Sequence, residues 1–175
     1  IPFLCMATDV ETGEEVVLEH GDLAQAIMAS ASFPTLFAPV DVEGRYLTDG
    51  GVMNNYPVDE VRAKGMDVII GVDVQSPLKK RKDLRSANSV LLQITGYKIA
   101  NDMKEKREKT DIYIHPDMSG YNVISFEDGQ AIIDSGRVAT KKVLPHLYWL
   151  KRHLRKKDPD IINTKIPDSL QISNI

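Results

Sequence analysis

Cysteine is almost absent. Cys5 is the single one in 175 residues, which excludes an internal disulfide framework and a thiolate-built metal site. It stands in the apolar run Phe3-Leu4-Cys5-Met6-Ala7, where a buried, inert thiol is expected. The four histidines, His20, His115, His146 and His153, show neither a His-Glu-x-x-His pattern nor clustered ligand spacing, so no metal and no cofactor is expected. No apolar run approaches the roughly 20 residues needed to cross a bilayer as a helix. No glycine opens Gly-x-Gly-x-x-Gly, which argues against a phosphate-cradling loop and a nucleotide-binding protein. Gly-x-Ser-x-Gly, the turn that exposes a nucleophilic serine, does not occur either. Internal repeats and low-complexity tracts are missing. The chain also opens without methionine, basic flank or cleavage site, in what reads as a strand. The natural N-terminus is expected to lie elsewhere, and location stays open between cell envelope and cytoplasm.

What is present describes a globular α/β chain. Hydrophobic residues make up 42% and charged residues 27%, the composition of a folded domain. Charge is split: residues 1–75 hold three basic and thirteen acidic residues, and the remainder nineteen basic and twelve acidic. The basic excess gathers at Lys79-Lys80-Arg81-Lys82 and at Lys151 to Lys157. Two readings fit these runs, a solvated loop and helix end or attraction to anionic lipid head groups. Nucleic acid is not expected, because no aromatic residues are interleaved with the runs.

Pattern supplies the elements. Pro2–Val10 reads as a buried strand and Glu14–Leu18 as a short one after the Thr12-Gly13 turn. Asp22 caps a helix with Leu23, Ala26, Ile27 and Ser30 at helical spacing, rich enough in alanine to pack closely on a sheet. Arg45–Thr48 is a strand, Pro57 opens a helix to about Lys64, and Gly65 ends it. Asp67–Val74 is a β-branched run, expected to be buried on both faces. Residues 45–74 therefore predict a right-handed βαβ unit in a mainly parallel sheet. Ser76–Ser86 is a basic loop, Ala87–Lys109 a long helix and Thr110–Ile114 a strand. A last helix runs from Asp128 to about Leu154, with Pro145 expected to kink or split it. Residues 156–175 read as a linker whose end, Ile166–Ile175, either frays or starts a new strand.

Chemistry concentrates at one strand end. Asp49-Gly50-Gly51 follows a strand, and in open α/β sheets functional groups gather at the carboxyl ends of strands. The glycine pair admits close approach of another segment. Asp-Gly-Gly also makes ordinary turns. Ser30 and Ser32 are read as helix-end hydrogen-bonding groups rather than nucleophiles. Asn54 and Asn55 shape the following turn or orient the carboxylate. Asp73, at its own strand end, is a hydrogen-bonding group or a cleft-lining one.

The stretch Leu23–Val74 resembles the bacterial patatin-like phospholipase family. The matching residues are Ala29-Ser30-Ala31-Ser32-Phe33-Pro34-Thr35-Leu36-Phe37-Ala38-Pro39, then Glu43-Gly44-Arg45-Tyr46-Leu47-Thr48-Asp49-Gly50-Gly51-Val52-Met53-Asn54-Asn55-Tyr56-Pro57, then Gly65-Met66-Asp67 with Val68-Ile69-Ile70-Gly71-Val72-Asp73-Val74. Thr110–Pro116 and Phe126–Gly136 are similar as well.

The resemblance implies a three-layer α/β fold, mainly parallel and incomplete at its N-terminus. Residues 1–155 would be the C-terminal part of the domain. It implies a lipid acyl hydrolase with a Ser-Asp dyad, in which Asp49 is the base, Gly50, Gly51 and Asn54 support it, and the serine lies outside this chain. These residues alone are then expected to be inactive, and to need dimerisation or the missing part of the same protein for stability. A lipid or phospholipid substrate and a membrane surface are the implied partners. A non-catalytic binding or scaffold module on the same fold is the alternative. Ile166–Ile175 is similar to the opening of the POTRA modules that follow patatin domains in some outer-membrane proteins.

Overall fold

The computed structural model describes residues 2–154 and 171–172. The first two strands, β1 (Cys5–Asp9) and β2 (Glu15–Leu18), form an antiparallel hairpin. Its turn is tied by Asp9, whose buried carboxylate accepts the backbone N–H of Glu11 and Thr12 and the guanidinium of Arg45. That guanidinium holds the Asp9 carboxyl below the usual carboxylate range, helped by the two N–H donors against some desolvation. A two-residue strand, β3 (Gly21–Asp22), leads into helix α1 (Leu23–Ser30). The Asp22 carboxylate accepts the Gln25 N–H at 2.8 Å, the expected N-cap.

Strands β4 (Val40–Val42) and β5 (Arg45–Asp49) form a second hairpin with Val42 opposite Arg45. The two loop residues, Glu43 and Gly44, have φ of 53° and 81°, the twist that matches flanking strands in a two-residue hairpin. The sheet order is β2-β1-β5-β4, antiparallel throughout. Helix α1 lays Ala26 and Ala29 on Ala7, Leu18 and Leu47 to make one core. The small side chains permit this close approach, while Ile27 stays exposed on the far side.

Helix α2 (Val58–Ala63) follows Pro57 and ends before Gly65, whose φ is 83°. Strand β6 (Ile70–Val72) pairs in parallel with β7 (Ile112–Ile114) across the long helix α3 (Ala87–Glu108). Helix α4 (Gly129–Leu154) packs Ala139 and Leu150 on Ile112 and Ile114. Gln171–Ile172, labelled β8, pairs antiparallel with Gly21–Asp22. The rest of the 156–175 segment lies outside the described residues, and with it the linker reading.

Three expectations are corrected. The βαβ unit over 45–74 does not form, because β5 pairs with β1 and β4 and not with β6. Among the described residues the strands are mostly antiparallel, and β6–β7 is the single parallel pair. The β-branched run is not buried on both faces. Ile69, Gly71 and Asp73 are buried, whereas Val68, Ile70, Val72 and Val74 are exposed. Alternation along the strand sends the two sets to opposite sides, and because the exposed set is wholly valine and isoleucine the sequence pattern gives no sign that it faces outward. Helix α4 continues through Pro145, so of the two outcomes expected there the split does not occur.

Candidate active site

The end of β5 is held from three sides. The Asp49 N–H donates to the Ser32 carbonyl at 3.2 Å. The Asp49 carbonyl accepts the Thr8 hydroxyl at 3.0 Å. The buried Thr48 hydroxyl donates to the same Ser32 carbonyl at 2.7 Å. Ser32, itself buried, spends its hydroxyl on the Ala29 carbonyl at 2.8 Å. It therefore ends α1 and anchors β5, as the helix-end reading expects. The contacts from Thr8 and Ser32 span 41 and 17 residues of sequence, and no spacing rule could have announced them.

The carboxylate is positioned by its own turn. Asp49 is half-buried, and its Oδ1 accepts the Gly51 N–H at 2.7 Å, capping the short 3-10 turn Gly50–Val52. Among the described residues Oδ2 has no hydrogen-bond donor. Burial pushes the Asp49 carboxyl above the usual carboxylate range, and the Gly51 N–H offsets part of that rise. One oxygen is thus fixed and the other is open to a proton.

The two glycines differ in what they exclude. A Cβ on Gly50 would sit 2.3 Å from the Met6 carbonyl oxygen and 2.4 Å from its carbonyl carbon. The turn passes so close to β1 that no side chain fits. A Cβ on Gly51 would meet the Asn55 side-chain oxygen at 2.7 Å and the Asp49 Oδ1 at 3.0 Å.

Asn54 is buried four residues past Gly50, and its N–H donates to the Gly50 carbonyl at 2.8 Å. Its side-chain amide donates to Glu60 at 2.9 Å and Glu15 at 3.2 Å, and its oxygen accepts from Lys106. These bonds tie the turn to β2, α2 and α3 rather than to the Asp49 carboxylate. Asn54→Ala should strand three charged partners and lower stability by about 1–3 kcal/mol. An unchanged urea midpoint would show that the clamp does not matter.

Asp73 belongs to a separate cluster. Its buried carboxylate accepts the Tyr113 hydroxyl and the Gln75 N–H, and His115 Nδ1 lies 2.9 Å from its carbonyl oxygen. Burial and the adjacent Asp73 carboxylate push the Tyr113 hydroxyl up, and Arg107 lies over its ring. Sequence reading missed Tyr113 and Arg107. The concavity of about 510 Å³ beside them is lined by Met103, Lys104, Arg107, Glu108 and Tyr113, without Asp49. Cys5 is half-buried, not fully buried, and its thiol faces the Ala26 carbonyl. Burial pushes its pKa up, which agrees with an inert thiol.

Residues 7–62, which contain Asp49 and all the groups that hold it, match the family model described as patatin-like phospholipase. The site therefore lies inside the stretch that matches this family model, and residues 7–62 are similar to patatin-like phospholipases.

Its relatives are long proteins. It is 28% identical over 166 residues to an uncharacterized NTE family protein of Mycobacterium tuberculosis, covering 81% of this chain and 28% of that protein. A second uncharacterized NTE family protein of that species is 36% identical over 74 residues, which is 42% of this chain and 21% of the relative. The lysophospholipase NTE1 of Saccharomyces cerevisiae is 24% identical over 168 residues, covering 79% of this chain and 10% of the enzyme. The chain thus spans less than a third of the length of each of these relatives.

Proposed function

We propose that this chain carries the general base of a serine lipid acyl hydrolase acting on lipid or phospholipid esters. The observation that supports it most is the Asp49 carboxylate, fixed through Oδ1, open at Oδ2 and raised in pKa by burial. A serine hydroxyl is a weak nucleophile until an adjacent base takes its proton. A carboxylate of ordinary pKa is a poor base for it, and desolvation moves Asp49 in the useful direction.

In the proposed reaction a serine from a segment outside these 175 residues attacks the acyl carbonyl and its proton passes to Asp49 Oδ2. The proton then goes to the leaving alcohol. Water, deprotonated by the same carboxylate, releases the acyl group and restores the serine. Backbone N–H groups of another segment would stabilise the oxyanion. Gly50 and Gly51 support the carboxylate by setting its turn, and Asn54 by anchoring that turn.

The complete domain is proposed to be three-layered with a mainly parallel sheet. The exposed apolar row Val68, Ile70, Val72 and Val74 is consistent with a layer still to be added.

A fluorophosphonate probe tests the reading. The 175 residues alone should take no label and leave p-nitrophenyl esters intact. A longer form that supplies the serine should be labelled and active. Labelling of the short chain would overturn the dyad, and a longer form inert in both assays would point to a binding module.

A further inference from the structure

Helix α3 is apolar on two opposite sides. One side faces the body, where Met103 packs against the Tyr56, Val58 and Ile69 core. At 100° per residue, Tyr97, Val90, Ile94 and Leu91 fall within an arc of roughly 120° on the other side. These four are 42–53% exposed. A solvated helix normally turns polar residues outward, so this row calls for a partner.

The segment just before the helix indicates which partner. Lys79, Lys80, Arg81, Lys82 and Arg85 are all exposed, with Asp83 the one acidic residue among them. None of the five forms an ion pair among the described residues. The loop is bound along the helix. The Lys79 N–H donates to the Gln93 side-chain oxygen at 2.9 Å, and the Gln93 amide returns a bond to the Lys79 carbonyl at 3.1 Å. Leu78 also lies against Gly96, 3.5 Å from where a Cβ would stand. The cationic run therefore flanks the apolar row as a fixed part of one surface.

From this juxtaposition we propose that the Lys79–Tyr97 surface docks on an anionic lipid bilayer. The side chains of Val90, Leu91, Ile94 and Tyr97 enter the head-group boundary, and the five cations pair with lipid phosphates. Helices that lie in a membrane interface combine these same two components. A second copy of the chain fits less well. Two-fold pairing through this patch would bring two runs of like charge together. The idea does not depend on Asp49 being catalytic, and its test is made in an Asp49→Asn background so that lipid turnover cannot alter the vesicles.

Co-sedimentation with phosphatidylcholine vesicles, with and without phosphatidylglycerol, measures the docking. The chain should bind the anionic vesicles and pass by the neutral ones, with binding falling as salt rises. Each basic residue near an anionic surface is worth a factor of about five, so Lys80→Ala with Arg81→Ala and Lys82→Ala should weaken binding on the order of 100-fold. Leu91→Asn with Ile94→Asn should weaken it as well. An environment-sensitive dye on Ile94→Cys, in a Cys5→Ser chain, should brighten on anionic vesicles, which reports insertion without relying on a loss.

Equal binding to both vesicle types would overturn the proposal, as would an unaffected triple variant. So would a dye that stays dark while protein sediments, or a sedimentation-velocity dimer that Leu91→Asn with Ile94→Asn dissociates.

Discussion

With Asp49 as the proposed base, Asp49→Asn is expected to abolish ester turnover by a longer form that supplies the serine, and to make the chain more stable at neutral pH. Both follow from the same burial. Removing a general base costs up to about 10⁴-fold in rate, and a dyad offers no second base to take over. Asparagine keeps an acceptor for the Gly51 N–H but cannot take the serine proton.

The stability effect has the opposite sign. The folded carboxyl has a raised pKa, so ionisation is harder in the folded state than in the unfolded one. The stability linked to the protonated form is fully present below the unfolded pKa and is lost as pH rises through the folded pKa. At pH 7 the wild type carries a half-buried charge that the variant lacks. The variant should therefore melt higher at pH 7, and the gap should close as pH falls through the folded Asp49 pKa. The rate should show an acidic limb at that same pKa. Equal melting temperatures at pH 7 would remove the case for a desolvated carboxylate, and an active variant would remove its role as base.

Gly50→Ala is the second large effect. Its Cβ would overlap the Met6 carbonyl group of β1, and neither backbone can yield without breaking strand pairing. The expected loss is about 3 kcal/mol, the upper end of ordinary overpacking. That is a large part of the total stability of a small domain, about 5–15 kcal/mol. Gly51→Ala is the internal comparison. Its new methyl meets the exposed Asn55 side chain and the Asp49 Oδ1. Asn55 can swing away, so stability should fall less, while the carboxylate is pushed from its place. Urea unfolding of the two variants should rank Gly50→Ala well below Gly51→Ala, and equal midpoints would mean the close approach is relieved elsewhere.

Much of this site could be read before any coordinates. Asp49-Gly50-Gly51 at a strand end, the Asp22 cap and the Gly65 stop depend on local chemistry that a few adjacent residues contain. Pairing partners do not. Arg45–Thr48 reads as a strand whichever neighbour it takes, and only contacts with β1 and β4 made it part of an antiparallel sheet. The 67–74 run misleads because its valine and isoleucine row, Val68, Ile70, Val72 and Val74, is the exposed one, while Gly71 and Asp73 share the buried side with Ile69. Asn54 was legible as a turn residue, but its three charged partners come from residues 15, 60 and 106. Pro145 permits a kink or a split, and α4, packed on β7, is not split.

Every hydrogen bond that locates the Asp49 backbone and carboxylate comes from Thr8, Ser32 or Gly51, all within the family-matched span 7–62. None comes from α3 or α4. The direct hydrogen bonds of the carboxylate therefore do not involve residues beyond 75. The later region reaches its turn at one remove, through the Lys106 bond to Asn54, so a change on α3 would act on the carboxylate by loosening the turn beneath it.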